Sequence, residues 1–280
     1  MGTVQTWPAV RRVQVGLILR GMRERAGVKP KDIAARLDWY NSKLTRVEKG
    51  ELMVSAAEVE ELLRMFEVND AGEADRLRTL AKEARRRDRP ARVPDWAATY
   101  VALESAATEI KSYDAELVHG ALQTETYARA ILSDPLDDTR DVEPAVAERV
   151  ERGSRILDGE GPSTWCVLGE AALYREVGGR DALREQLEHL RCAARKPNVA
   201  LQVIPFSAGQ HIGLGSSFVV LHLTEPVATY AYLEGLTGSD YLDKPSHTSQ
   251  YVRAFDTLRA AAASERETLR MLENRIEDLA

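Results

Sequence analysis

Through the first third of the chain, apolar residues recur three and four positions apart, the period of a helix with one buried face. Val13, Leu17, Leu19 and Met22 predict a first helix over about Val13 to Arg25, ended by Gly27. Ile33, Ala34 and Leu37 predict a second short helix, with Pro30 in its first turn where a missing N–H costs nothing. After the turn Asp38-Trp39-Tyr40, Leu44 and Val47 mark the buried side of a third helix, closed by Gly50. Ser55 and Glu58 form a capping box for a fourth helix that buries Val59, Leu62, Leu63 and Phe66. A fifth helix spans about Asp70 to Arg87. The basic stretch Arg85 to Pro94 ends in two prolines and reads as the end of that helix and a linker.

Beyond the linker the pattern alternates between helical stretches and short β-prone runs. Helices are expected over Trp96 to about Ser112, Gln123 to Leu132, Pro144 to Leu157, Arg180 to Arg195, Ser246 to Ala261 and Ser264 to Leu279. Strands are expected at Thr164–Leu168, Val199–Ile204, Ser217–His222 and Ala228–Leu233, the last two as a hairpin, with a short extended piece at Ala115–Val118. The predicted architecture is a mainly α, five-helix domain over 1–88, a linker over 89–95, and an α+β domain over 96–280 with a small sheet of about four strands. The apolar stripe Leu269, Leu272, Ile276 and Leu279 of the last helix packs on its own domain or offers a dimer or partner face.

Charge sharpens this division. The chain of 280 residues has a net charge of −6, an unpromising value for a nucleic-acid binder. Residues 1–92, however, carry 20 Lys and Arg against 14 Asp and Glu, a net of +6, and residues 93–280 carry 18 against 30, a net of −12. Phosphate attraction needs only a local basic face, and the acidic part repels DNA. Two cysteines, Cys166 and Cys192, make no disulfide framework and read as reduced and buried. The start of the chain lacks the apolar core of a signal peptide, and no run of about 18 apolar residues is present, so a cytoplasmic protein away from membranes is expected.

The second and third helices carry the clearest chemistry. With Leu44 and Val47 inward, Asn41, Ser42, Lys43, Thr45, Arg46 and Lys49 point outward. A short helix with polar and basic residues at its exposed start suits the major groove of double-stranded DNA. Arg46 reads equally as a phosphate or a base contact, and Asn41, Ser42 and Lys43 as base readers or a solvated helix start.

Leu19-Arg20, Met22-Arg23, Ile33-Ala34, Leu44-Thr-Arg-Val-Glu48 and Gly50 together resemble the phage-repressor-like, or XRE-type, helix-turn-helix domain. The resemblance implies a five-helix DNA-binding fold and pairs a first-helix arginine, at the matching position Arg20, with Glu48. That family often has a DNA-contacting glutamine where Pro30 stands here, which leaves Lys29 or Lys31 to touch phosphate. The later segments Leu117 to Ile131, Glu170 to Leu173, Arg184 to Leu187, Pro197 to Phe206 and Ser207 to Gly213 resemble actinobacterial antitoxin-like regulators with a large C-terminal domain of unassigned activity. His119 stands where that family usually has Pro, and Arg152-Gly-Ser154 replaces an Arg-Gln pair. The resemblance implies a transcriptional regulator, often working beside a small protein encoded by a neighbouring gene.

His119, Gln123, Glu170, His211 and Glu234 are the candidates for a ligand or partner pocket in the second domain. No metal-ligand spacing is present. The Gly-x-Gly at Gly213-Leu-Gly215 precedes a strand rather than opening a helix, so it lacks a dinucleotide-binding context. No catalytic residue or cofactor is expected. The reading is a DNA-binding regulator acting as a homodimer and modulated through its second domain by a small protein or ligand. The alternative is an antitoxin-like protein that neutralises a small partner and regulates its own operon.

Overall fold

The computed structural model describes residues 8–40, 42–85, 95–133, 141–159, 161–224, 227–235 and 238–280. The chain divides into two compact units, Met1–Ala106 and Ala107–Ala280. The first contains α1 (Pro8–Ala26), α2 (Pro30–Leu37), α3 (Lys43–Glu48), α4 (Ala56–Met65), α5 (Ala71–Ala84) and α6 (Asp95–Ala106). Leu19 and Met22 of α1, Ile33 of α2, Leu44 and Val47 of α3, Leu62 of α4 and Leu77 of α5 meet in one core. The helical period of those apolar positions puts them all on inner faces, so burial rather than intrinsic propensity holds the short α2 and α3. The capping box at Ser55 forms, with Glu58 N–H donating to Ser55 Oγ (3.2 Å) and Ser55 N–H to Glu58 Oε2 (2.6 Å). α6 packs on α1 and clusters with the first unit, although the sequence alone assigns Trp96 onward to the second domain. Most of the expected linker lies outside the described residues.

The second unit is built on a mixed sheet of six strands, not four. In chain order come β1 (Glu109–Asp114), α7 (Glu125–Leu132), α8 (Glu143–Leu157), β2 (Ser163–Gly169), α9 (Arg180–Ala193), β3 (Val199–Ile204), β4 (Phe218–Thr224), β5 (Val227–Gly235), β6 (Gly238–Leu242), α10 (Pro245–Ala261) and α11 (Glu265–Asp278). The spatial order is β3-β2-β1-β4-β5-β6. β1, β2 and β3 run parallel, joined by helical crossovers, and β4, β5 and β6 continue antiparallel. Cys166, Leu168, Leu201 and Val203 point to one face and pack on α9 and α11. Val167, Ile204, Phe218 and Val220 point to the other and pack on Phe255 and Leu258 of α10. Near-continuous apolar runs such as Val199–Ile204 are what a strand covered on both faces requires.

Three expectations fail here. Tyr100, Leu103, Ala107 and Ile110 keep helical spacing, yet the helix stops at Ala106 and Ile110 belongs to β1. In β1 the residues alternate, with Ile110 and Ser112 toward one face and Lys111 and Tyr113 toward the other, and main-chain pairing with β2 and β4 outweighs the helical pattern. β6 carries too few apolar residues to announce itself and is held by its ladder to β5. Cys166 is buried as expected, but Cys192 lies on the solvent side of α9. The stripe of α11 is an inward face, with Leu272, Ile276 and Leu279 buried in the unit's own core.

Candidate nucleic-acid interface

α2 and α3 are joined by a turn that begins at Asp38, whose φ of 51° is left-handed. Asp is one of the residues that tolerates this conformation. The turn lets Trp39 fall into the core while Tyr40 stays 54% exposed. α3 then sits on α1 with almost no clearance. A Cβ at Gly16 would lie 2.5 Å from the Val47 carbonyl oxygen and 2.6 Å from that of Glu48. Gly50, with φ of 75°, turns the chain away at the far end, its Cα packed against Val13.

A half-buried ion pair fixes the same contact. Arg23 donates from Nε and Nη2 to the two carboxylate oxygens of Glu48, at 2.5 and 3.2 Å, and both side chains are 13% exposed. The sequence resemblance assigned this partnership to Arg20. Arg20 instead donates to Glu24 one turn along its own helix, at 3.0 Å. Arg20 and Arg23 are three residues apart on adjoining parts of one helical face, and only the rotation of α1 against α3 selects between them.

With the inner face fixed, Ser42, Thr45, Arg46 and Lys49 of the α3 segment are exposed, as are Lys29 and Lys31 at the start of α2. Asn41 lies outside the described residues. Lys43 is held differently. Its ammonium is 2.7 Å from Glu58 Oε1 and 4.4 Å from the centre of the Trp39 ring. Trp39 Nε1–H donates to the same oxygen at 2.9 Å. Burial tends to raise the Glu58 pKa, but bonds from Lys43, Ser55 and Trp39 outweigh it and bring the carboxyl down to about 2. Glu58 therefore ties the turn, α3 and the start of α4 into one joint. The capping box was visible in the sequence. The second role of Glu58 was not, because its partners lie 15 and 19 residues away.

Arg46 is paired with Glu51, at 3.2 Å from Nε to Oε2, and this pairing raises the arginine's pKa. Neither Tyr40 nor Glu51 was singled out by the sequence pattern, and both stand beside the exposed side of α3.

In the second unit each of the five candidate residues is engaged by neighbouring groups. His119 is buried with Nδ1 3.4 Å from Asp114 Oδ2. Gln123 donates to the Val118 carbonyl (2.7 Å) and accepts from Arg149 (2.8 Å), a brace for the turn that precedes α7. Glu170 accepts from the Phe206 N–H at 2.5 Å and joins the loops that leave β2 and β3. His211 stands edge-on to Tyr113 at 5.8 Å. Glu234, at the end of β5, accepts from the Tyr232 hydroxyl at 3.0 Å; burial, the Glu234 charge and Tyr241 push that phenol's pKa up. Glu234 also borders an open depression of about 400 Å³ with Leu233, Gly235, Gly238, Ser239 and Asp240, which none of the other four candidates lines. Among the described residues no group of three His, Cys, Asp or Glu side chains gathers as a metal site requires, and no described helix is long and apolar enough to cross a membrane.

The family of domains of unknown function called DUF5753 matches residues 97–274, most of the chain. The chain belongs to the DUF5753 family. A helix-turn-helix domain matches residues 14–77, the segment from within α1 to the middle of α5. In this DUF5753 protein, then, the first unit is a helix-turn-helix domain, and that domain supports DNA binding by a regulator. The match to the DUF5753 domain begins at residue 97, inside α6, whereas the contacts of α6 group it with the first unit. No curated protein and no solved structure matches the chain.

Proposed function

We propose that this protein is a sequence-specific transcriptional regulator that binds double-stranded DNA as a homodimer, with its affinity set through the DUF5753 unit by a small protein or ligand. The observation that carries the reading is the exposed row Ser42, Thr45, Arg46 and Lys49 on a helix whose other side is clamped by Arg23–Glu48 and by the close approach at Gly16. A rigid helix offering only polar and basic groups outward meets the requirement for major-groove readout. Lys29 and Lys31 take phosphates at the start of α2, and Ser42 and Thr45 meet base edges. Lys43 contributes mainly through the joint it forms with Glu58. Dimerisation follows from size: one six-residue recognition helix buries little surface, and two half-sites about 34 Å apart double the contact.

The acidic second unit suits a basic partner, such as a small protein encoded by a neighbouring gene, rather than nucleic acid. A partner that favours one state of the protein changes DNA affinity by a coupling free energy of roughly 1–3 kcal/mol. We assign that unit a docking role and no catalytic step.

The test is fluorescence anisotropy with the DNA upstream of the protein's own gene, against a scrambled duplex, at two salt concentrations. Selective binding that weakens with salt is the expected result. Arg46→Ala should weaken it by about tenfold or more. Equal binding to both duplexes, unaffected by Arg46→Ala, overturns the reading.

A further inference from the structure

Arg46 has two chemically distinct ways to meet DNA, and its surroundings differ in which one they favour. A phosphate contact needs charge and tolerates a wandering side chain. A base contact needs the guanidinium fork aimed at two acceptors on one edge, as on guanine O6 and N7. The chain around Arg46 is arranged for aim. Gly50, in its left-handed conformation, reverses the backbone so that the Glu51 N–H donates to the Arg46 carbonyl at 2.8 Å. That bond fixes Glu51 beside the arginine, and its carboxylate accepts from Nε at 3.2 Å. A guanidinium has five N–H donors. The bond from Nε to Glu51 leaves donors on both terminal nitrogens, on a side chain 47% exposed.

We propose that Arg46 reads a guanine in the major groove, and that Glu51 is a positioning residue that sets its approach. The proposal rests on the DNA-binding reading above and goes beyond it. The carboxylate is the informative part. Beside a phosphate contact, Glu51 works against binding, because it partly neutralises the arginine and is itself repelled by the backbone. Beside a base contact, it restrains a side chain that otherwise loses rotamer freedom on binding. The two roles make opposite predictions for its removal.

The experiment uses the full chain throughout. Wild-type protein selects from a pool of random duplexes, and anisotropy then compares the enriched duplex, copies with single guanines replaced by 7-deazaguanine, and a scrambled duplex. The proteins are wild type, Arg46→Ala, Glu51→Gln and Glu51→Asp. One guanine per half-site should matter: its 7-deaza replacement costs the wild type about tenfold or more and leaves Arg46→Ala unaffected. Glu51→Gln should bind the scrambled duplex at least as tightly as wild type, yet lose most of the discrimination at that guanine. Glu51→Asp, which keeps the charge but draws it back from Nε, should lose discrimination without tightening binding to the scrambled duplex. A merely structural role does not single out one base. Should Glu51→Gln melt early, Glu51→Asp carries the test alone. If Glu51→Gln tightens binding to both duplexes and keeps the discrimination, Glu51 only repels DNA and the positioning claim fails. If no guanine responds to 7-deaza replacement, Arg46 is not a guanine reader. If no sequence is enriched, the DNA-binding reading fails and this proposal with it.

Discussion

Glu58 illustrates how much of the recognition unit hangs on single side chains. Its carboxylate accepts from Trp39, Lys43 and the Ser55 N–H, and these bonds hold its pKa near 2 against an ordinary value of 4.5. A carboxyl whose pKa is lowered on folding stabilises the fold at pH values above its unfolded pKa. That stabilisation is lost as the pH falls from about 4.5 through about 2. Denaturant unfolding of the wild type should therefore weaken over that window, and Glu58→Gln should flatten the dependence. At neutral pH the same substitution should lower stability by about 1–3 kcal/mol, because partly buried donors lose their acceptor. An unchanged pH profile in Glu58→Gln would show that the joint is too exposed to matter. Lys43 belongs with Glu58 in this account: its outward position along the helix was readable in sequence, but its ion pair to α4 was not.

Among the elements, the contact of α1 with α3 decides how firmly α3 is held. Gly16→Ala gains about 1 kcal/mol of helix propensity. It also drives a methyl group into two backbone carbonyls that have no room to yield, an overpacking cost of about 1–3 kcal/mol. Thermal melting should show net destabilisation, and DNA binding should fall more than stability does, because α3 is the element displaced. A variant as stable as wild type with unaltered DNA binding would mean that the helices separate freely. The elements also show what sequence pattern can and cannot carry. Val199–Ile204 was legible to the residue, since a short apolar run flanked by turn residues suits a strand covered on both faces. β1 was hidden because Ile110 continues the spacing of α6, and only pairing with β2 and β4, far along the chain, makes it a strand. The exposed row of α3 was legible because its inner partners, Leu44 and Val47, are local. The partner of Glu48 was assigned three residues away from Arg23, a distinction that depends on helix rotation and leaves no trace in a hydrophobic pattern. The five pocket candidates of the second unit were chosen as chemically capable residues near turns, and the bonds by which Gln123 and Glu170 brace loops join residues that the pattern does not link.

For the molecule as a whole, charge is the controlling quantity. The +6 of residues 1–92 sits on the unit with the recognition helix, and the −12 of residues 93–280 on the rest. Lys29, Lys31, Arg46 and Lys49 are exposed near that helix. If Lys29, Lys31 and Lys49 engage phosphates while Arg46 reads a base, the logarithm of affinity should fall against the logarithm of salt with a slope of about −3 per protomer. A slope near −4 would add Arg46 to the phosphate contacts, and one near −1 would leave most of these lysines out of the interface.

The sheet's strand order has a consequence in time. β1 lies in the middle of the sheet, yet Glu109 pairs with Ser163 on one side and His222 on the other, so its neighbours emerge from the ribosome long after it does. The helices of the first unit need only nearby partners. Local contacts form fast and distant strand pairing slowly. In stopped-flow refolding, helical signal in the first unit should precede burial of Trp165 in the sheet. During synthesis, the helix-turn-helix half is complete while the DUF5753 half is still unfinished chain.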